Sequence, residues 1–258
     1  MKKASVTLLA ATLVSLTPFV SADEGIALEV QTTTNNAHRV YAGPEFMWSH
    51  FHGDIQHLEV SRNTYYGGLR FGYEYLQPES FYAATDAIAA MGAEKGKVSG
   101  DDAKFKDRAK EVFKGNRGHF WSNVEQRFGY TFSSSLVPSC TVSVFAGPGF
   151  HYEHEKGRHS LWGYAHTGLK AVQHFNDTFS VGTDVKVMYA FGANDTLLTR
   201  PTTLGKKQFL GYEFGVPFNW TLGDTKSFDI QLKPYLLKLN ASSKETIVGS
   251  TLALGYKF

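Results

Sequence analysis

Histidine is the residue type of this chain that is best suited to chemistry. Seven of the ten histidines lie in a few short stretches, and they are His50, His52, His57, His119, His151, His154 and His159. Neutral imidazoles that converge could bind zinc or copper, and they titrate in an acidic compartment. No pair of them is joined to a carboxylate at a spacing that demands a metal. We therefore predict no metal site and favour the interpretation that these are solvated loop residues.

Two short motifs bring His close to Asp or Ser. They are "HFHGD" at 50–54 and "GRHS" at 157–160. Such residues can serve hydrolysis when a nucleophile or a carboxylate is aligned with the imidazole. Neither motif is a family signature, and both consist of ordinary loop residues. We predict no catalytic residue, no cofactor and no enzyme, and keep a hydrolase as a less favoured alternative.

The elements that would position these residues are strands. Beyond residue 37, apolar residues recur at every second position in ten stretches that Gly, Asp, Asn, Ser, Pro or Lys clusters separate. In "TFSVGTDVKVMYAF", for example, Phe179 and Val187 fall on one face, and Asp184 and Lys186 fall on the other. The predicted strands are 38–50, 62–76, 80–91, 118–133, 138–153, 160–175, 178–191, 206–221, 227–239 and 246–258.

The polar face of these strands carries ionisable residues of both signs. Eight are acidic and six are basic: Glu45, Arg70, Glu74, Asp86, Glu125, Arg127, Glu153, Lys170, Asp184, Lys186, Glu213, Asp229, Lys233 and Lys257. Such a mixture of acidic and basic residues is typical of a crowded interior in which charged side chains pair with one another. We predict that all of them except Glu153 and Lys257 form a charge network in a lumen.

The apolar face is rich in Phe, Tyr and Trp near the strand ends, as in the aromatic girdles at membrane interfaces. Connections after even strands are short, such as "QPES" and "GDTK", whereas "GANDTLLTRPTTLG" follows an odd strand. An up-and-down transmembrane barrel alternates its loops in this way. A soluble sandwich or barrel is the alternative, because alternation alone does not show which face of the sheet contacts water.

The first 22 residues read as a signal peptide. Lys2 and Lys3 precede an apolar run, and Val20-Ser21-Ala22 provides small residues for cleavage. Without those two lysines the formal charge falls from +2 to 0, so no basic surplus favours nucleic acid. Cys140 is the only cysteine and cannot form an internal disulfide. Residues 23–37 are predicted to be a periplasmic lead-in, and residues 38–258 the barrel.

The ending "LGYKF" at 254–258 repeats earlier phrases, "FGYEY" at 71–75 and "FGYTF" at 128–132, which close other strands at the same rim. With the cleavable signal and the alternation, it makes the chain resemble Gram-negative outer-membrane β-barrel proteins. The resemblance implies that the terminal aromatic strand is recognised by the barrel-assembly machinery, through Leu254, Tyr256 and Phe258. It identifies an architecture and no subfamily.

We therefore predict an all-β, up-and-down antiparallel barrel of about ten strands, although eight or twelve also fit the pattern. Bulges are expected at Pro44, Pro148, Pro217 and Pro234, where a ladder hydrogen bond is lost. A helix is predicted over 101–114 in the second outer loop.

Ten strands leave a lumen that side chains can largely fill. A structural or surface-interaction role is the favoured function, with a narrow channel for small solutes as the alternative. The predicted partners are outer-membrane lipid and lipopolysaccharide, the assembly machinery and a surface ligand.

Overall fold

The computed structural model describes residues 37–258, except for 56–57, 100–117, 134–138, 156–157, 196–207, 224–226 and 241–243. The predicted signal peptide, the lead-in up to residue 36 and the helix over 101–114 lie outside the described residues. The strands are β1 His38–Ile55, β2 Leu58–Tyr75, β3 Ser80–Ser99, β4 Gly118–Ser133, β5 Cys140–Glu155, β6 Arg158–His174, β7 Phe179–Asp195, β8 Phe209–Gly215, β9 Phe218–Leu222, β10 Phe228–Asn240 and β11 Lys244–Lys257.

These strands form one closed antiparallel sheet. Each strand from β1 to β7 pairs with the next along the chain, β10 pairs with β11, and β1 closes the ring by pairing with β11. The two short strands β8 and β9 both lie between β7 and β10 and keep one register, since Gly215 lies opposite Tyr235 and Leu222 lies opposite Phe228. They are two halves of one strand that is interrupted at Val216–Pro217. The barrel therefore has ten staves, which confirms the predicted fold.

Alternation sorts the side chains as the sequence predicts. Glu45 is 0% exposed, whereas its neighbour Phe46 on the outer face is 62% exposed. Large apolar side chains cover the outside on every stave, and the lumen holds polar, charged and aromatic side chains. Within the described residues, no helix has the length and apolarity that a membrane-spanning helix needs.

The prolines do not produce the expected bulges. At Pro44 the ladder between β1 and β11 misses two pairs, but Ala42 opposite Leu254 and Glu45 opposite Thr251 keep the same register. Proline removes one donor, and the intact hydrogen bonds on either side hold the strands in place. Pro148 behaves in the same way, and the β10–β11 ladder runs through Pro234 without a shift.

Pro217 interrupts its strand, as noted above, without changing the register. Among the described strand pairs, the one register shift lies elsewhere, between Leu161 and Gly163 where β6 meets β7. The predicted bulges at the four prolines are therefore wrong.

Several strands extend beyond their predicted outer ends, and β3 does so by the most residues. The third strand was predicted to end at residue 91, but β3 continues to Ser99. Residues 92–99, "GAEKGKVS", pair with Glu59–Tyr66 of β2, so this segment is one arm of a hairpin and not part of a loop. This part of β3 was not predicted because it is short and rich in Gly and Lys, whereas the strand prediction relied on alternating apolar residues.

Candidate functional site: the barrel lumen

A carboxylate near the middle of the lumen ties three staves together. Asp184 of β7 accepts hydrogen bonds from Arg127 Nη1 of β4 and from Lys233 Nζ of β10, both at 2.8 Å. Arg127 also donates to Glu125 Oε1 at 2.7 Å. Because β4, β7 and β10 are not neighbours in the sheet, these contacts cross the interior.

A second cross-lumen contact extends this cluster. Lys186 Nζ of β7 donates to Glu125 Oε2 at 2.5 Å and lies 2.7 Å from Glu213 Oε2 of β8. Lys233 lies 3.7 Å from the other oxygen of Glu213. The three acids and three bases therefore compensate one another, which buried charges require.

Glu45 is the centre of a separate group on the opposite wall. Its carboxylate accepts hydrogen bonds from Tyr235 Oη and Thr251 Oγ1, each at 2.5 Å, and from Arg70 Nε at 3.1 Å. Arg70 Nη1 in turn lies 3.7 Å from Asp86, which accepts a hydrogen bond from Tyr41 Oη at 2.5 Å. A fully buried carboxylate with three donors is held in one orientation.

Two further ion pairs lie nearer the rim that carries the chain end. Lys170 Nζ pairs with Glu74, which also accepts a hydrogen bond from Tyr82 Oη at 3.1 Å. Arg39 binds Asp229 through Nε and Nη2, with the shortest contact at 2.6 Å, and Lys257 approaches the same carboxylate at 3.6 Å.

Arg39 is a network member that the sequence analysis missed. Its position two residues before Tyr41 and six before Glu45 places it on the inward face of β1. The alternation of inward and outward residues on β1 would have identified Arg39 as a member of the network.

The network is electrically balanced, with seven cations against seven carboxylates, and each of them has an ion-pair partner within the set. All twelve residues of the predicted charge network lie in it, together with Arg39 and Lys257. The cations are Arg39, Arg70, Arg127, Lys170, Lys186, Lys233 and Lys257, and the carboxylates are Glu45, Glu74, Asp86, Glu125, Asp184, Glu213 and Asp229.

An apolar layer fills the lumen on the other side of the network, toward the outer loops. It contains five aromatic residues and a set of aliphatic side chains: Met47, Tyr66, Ile88, Ala90, Trp121, Trp162, Tyr164, Met188, Ala190, Tyr235, Leu237, Leu239 and Ile247. Tyr164 joins the two layers, since its hydroxyl donates to Asn123 at 3.0 Å and to Glu125 at 3.1 Å. The interior is thus packed like a protein core over this depth.

The described lumen holds two narrow voids. One lies among the aromatic side chains, and the other lies among the ion pairs. Arg70 and Asp86 line both of them. This ion pair therefore stands between the two voids.

The outer mouth carries a third cross-barrel group. Glu153 of β5 lies 3.8 Å from Arg62 Nη2 of β2 and 3.3 Å from His119 Nδ1 of β4. Glu245 at the start of β11 accepts a hydrogen bond from Ser49 Oγ at 2.5 Å. The contact of Glu153 with Arg62 could not be predicted from the sequence, because β2 and β5 meet only across the mouth. His119, by contrast, lies on β4, the strand next to β5.

The two carboxyl groups at the mouth have opposite electrostatic surroundings. Burial opposes ionisation of Glu153, but its contacts with His119 and Arg62 outweigh it and lower the pKa to about 2. Burial and the nearby charge of Glu153 raise the pKa of Glu245 above its ordinary value. The surroundings therefore stabilise the carboxylate form of Glu153 and disfavour ionisation of Glu245.

The histidines are spread over different surroundings. His151 packs inside between Trp121 and Trp162, with ring centroids 4.9 and 4.5 Å away. His50 lies on the outer face, where its Nδ1 is 2.8 Å from Asn63 Oδ1. The side chains of Asp54, His57 and His159 lie outside the described residues. In the part of the chain that is described, no group of three His, Cys, Asp or Glu side chains could hold a metal ion.

The chain end closes the seam between the first and last strands. The backbones of His38 and Phe258 exchange N–H···O hydrogen bonds of 3.2 and 3.0 Å, and their rings stack at 5.4 Å. Leu254, Tyr256 and Phe258 are all exposed on the outer face, and Tyr256 packs 5.0 Å from the ring of Phe228. The residues predicted as an assembly signal thus form one apolar patch at the seam.

No protein-family model and no curated protein matches this chain. Among solved structures, the outer membrane protease OmpT from Escherichia coli is 9% identical and has a TM-score of 0.52, over 89% of this chain and 99% of that one. The translocator domain of autotransporter NalP from Neisseria meningitidis is 10% identical (TM-score 0.42, 88% and 90% covered). OprG from Pseudomonas aeruginosa is 9% identical (TM-score 0.41, 86% and 95% covered). The chain has the fold of Gram-negative outer-membrane β-barrels, as the resemblance predicted.

Proposed function

We propose that this protein is an outer-membrane barrel with a closed lumen, which serves as a rigid support for its outer loops in a structural or surface-interaction role. The balanced network of seven cations and seven carboxylates carries this proposal. An ion-conducting pore needs charges that water and permeating ions can reach. Here each of those charges is engaged by another, and the apolar layer around Trp121 and Tyr164 lies over them.

The outer face supports a position in a membrane. On β1 the outward residues from Val40 to Trp48 are apolar over nine positions, close to the roughly 9–11 residues with which a tilted strand crosses a bilayer. Among the described outward-facing side chains of this band, none is ionised. A soluble barrel would expose polar residues on the same face.

Export and assembly complete the proposal. The predicted signal peptide at residues 1–22 would direct secretion, and the apolar patch of Leu254, Tyr256 and Phe258 would be recognised by the barrel-assembly machinery. Because Phe258 also closes the seam onto His38, recognition and closure would use the same residue.

A narrow channel for small solutes is the second candidate. The two voids favour it, since one lies among ion pairs and the other lies between them and the outer mouth. Movement of Arg70 and Asp86, which line both, would join them. We assign no catalytic role, although OmpT, whose fold is similar, is a protease.

The two candidates differ in solute flux. The refolded protein should show a heat-dependent gel shift and insert into phospholipid vesicles. Vesicles that contain it should swell in iso-osmotic arabinose no faster than empty vesicles. Swelling that depends on inserted protein and that changes on substitution of Arg70 by Gln would favour the channel. A missing gel shift would count against the barrel itself.

A further inference from the structure

Two buried hydroxyl groups at the outer mouth have no hydrogen-bond partner among the described residues. They belong to Thr64 and Tyr66, alternate residues on the inward face of β2 that are 1% and 4% exposed. Buried polar groups are normally bonded to the protein, to water or to a ligand, because leaving them without a partner costs free energy. The Tyr66 hydroxyl lies close enough to Glu153 and Glu245 to interact electrostatically with both carboxyl groups. The two hydroxyls therefore have bonding capacity that the described side chains do not use.

The neighbouring carboxyl group of Glu245 lacks a cationic partner. Its hydrogen bond of 2.5 Å comes from Ser49 Oγ, which is a neutral donor. Every other inward-facing carboxyl group whose side chain is described forms an ion pair with a lysine or an arginine. A carboxylate that is withdrawn from water is stabilised by such a pairing. Within the described lumen, Glu245 is therefore the one carboxyl group that a cation from outside could still compensate.

These residues form one group with more acid than base. We call Arg62, Thr64, Tyr66, Glu153 and Glu245 the mouth cluster. It holds two carboxyl groups and one guanidinium group, and the guanidinium group of Arg62 already lies 3.8 Å from Glu153. The Glu153 side chain is 22% exposed, so the cluster is accessible at its edge. A ligand that complements the mouth cluster should therefore carry positive charge.

The groups in the mouth cluster favour one kind of cation. They do not suit a metal ion, since no group of three His, Cys, Asp or Glu side chains in the described part of the chain could hold one. A primary ammonium group has three N–H donors and no acceptor. Glu245 and the hydroxyl oxygens of Thr64 and Tyr66 offer three acceptors beside one another. The number of acceptors therefore matches the number of donors.

We propose that the mouth cluster binds the protonated amino group of a small primary amine. Glu245 supplies the counter-charge and one acceptor, the hydroxyl oxygens of Tyr66 and Thr64 supply two more, and the ion pair of Glu153 with Arg62 stays intact. This inference deepens the proposed surface-interaction role, on which it rests for the outward orientation of the mouth. It adds a class of ligand to that role.

The test is isothermal titration calorimetry of the refolded full chain in detergent micelles at neutral pH, with n-butylamine hydrochloride as the probe. The wild type should bind it saturably. Glu245→Gln should weaken binding at least about tenfold, because a hydrogen bond to a charged acceptor is lost, and Tyr66→Phe roughly fivefold, because a neutral acceptor is lost. The matched controls are Glu79→Gln, in the turn between β2 and β3 at the opposite rim, and Tyr189→Phe on the outer face. Both should leave the affinity unchanged.

Tetramethylammonium chloride has the same charge but no N–H donor, so it should bind at least about tenfold more weakly than n-butylamine. Equally tight binding of the two cations would overturn the proposal, because it would show that only charge is recognised. Absence of saturable heat with the folded wild type, or an unchanged affinity in Glu245→Gln, would overturn it as well. The heat-dependent gel shift, recorded on every sample, shows that the barrel is folded. A folded barrel that is closed to solutes but binds no amine contradicts this inference alone, whereas solute flux through a barrel that binds the amine contradicts only the closed lumen.

Discussion

Arg127 of β4 donates a hydrogen bond of 2.8 Å to Asp184 of β7, although two other strands lie between them in the wall. The contact works as a strut across the lumen, and Lys233 of β10 reaches the same carboxylate from a third direction. Such a strut fixes the distance between walls that no backbone hydrogen bond connects. The lumen is therefore part of what holds the barrel in shape.

Substitution of Asp184 by Asn should destabilise the folded barrel by about 3–5 kcal/mol, because it leaves the buried cluster of Arg127, Lys186 and Lys233 one carboxylate short. The free energy of unfolding can be measured by urea titration in phospholipid vesicles. Asp184→Asn/Lys233→Met removes a cation as well and should recover part of the loss. A single variant as stable as the wild type would show that the strut has no structural role.

Tyr235 to Phe tests the second group in the lumen. The variant removes the hydroxyl that donates to Glu45 at 2.5 Å, and a hydrogen bond to a charged group contributes about 1.5–3 kcal/mol. The matched control is Tyr189→Phe, on the outer face, which should change the free energy of unfolding by less than about 0.5 kcal/mol. Equal effects of the two variants would contradict the importance of the Glu45 group.

Glu245 to Gln should change how stability depends on pH. The pKa of Glu245 is raised in the folded state by burial and by Glu153, so its favourable contribution is present below its ordinary pKa and is lost as pH rises through the raised value. Glutamine imitates the protonated form at all pH values. The variant should therefore gain stability over the wild type at pH 8 and not at pH 4.

The measurement for Glu245 is the difference in urea midpoint between variant and wild type at both pH values. Ser49→Ala provides the control, because it removes the donor to Glu245 but keeps the titrating carboxyl group, and its pH dependence should persist. The same variant-to-wild-type difference at pH 4 and pH 8 would contradict the raised pKa.

Phe258 to Ala separates seam closure from recognition. The variant keeps the backbone hydrogen bonds to His38 and loses the ring stack, so refolding into vesicles should continue with a lower unfolding midpoint. In cells the amount in the outer membrane should fall much further, because the assembly machinery loses the terminal aromatic residue. Phe175→Ala, in an exposed turn between β6 and β7, is the control and should leave both measurements unchanged. Normal levels of the Phe258 variant in cells would argue against the assembly signal.

The sequence predicts the architecture well because period-two alternation is a local property, and one face of each strand must avoid lipid. The same logic places Asp184, Lys186 and Lys233 in the lumen. The sequence does not predict which of these charges form contacts, because the contacts depend on the stagger of strands that are not neighbours. The meeting of Arg62 with Glu153 across the mouth could not be predicted for this reason. The effect of Pro44 on register was misjudged because the ladder on both sides of it outweighs one lost hydrogen bond.

The central claim is that the lumen is closed, and recordings of ionic current through planar bilayers test it most directly. The wild-type protein, shown to be folded and inserted by its gel shift, should give no discrete conductance steps in 1 M KCl. This concentration is roughly ten times the one at which the Debye length is about 10 Å. Uniform openings whose size changes in the Glu213→Gln variant would contradict the account, because they would require ions to pass the network that this residue helps to neutralise.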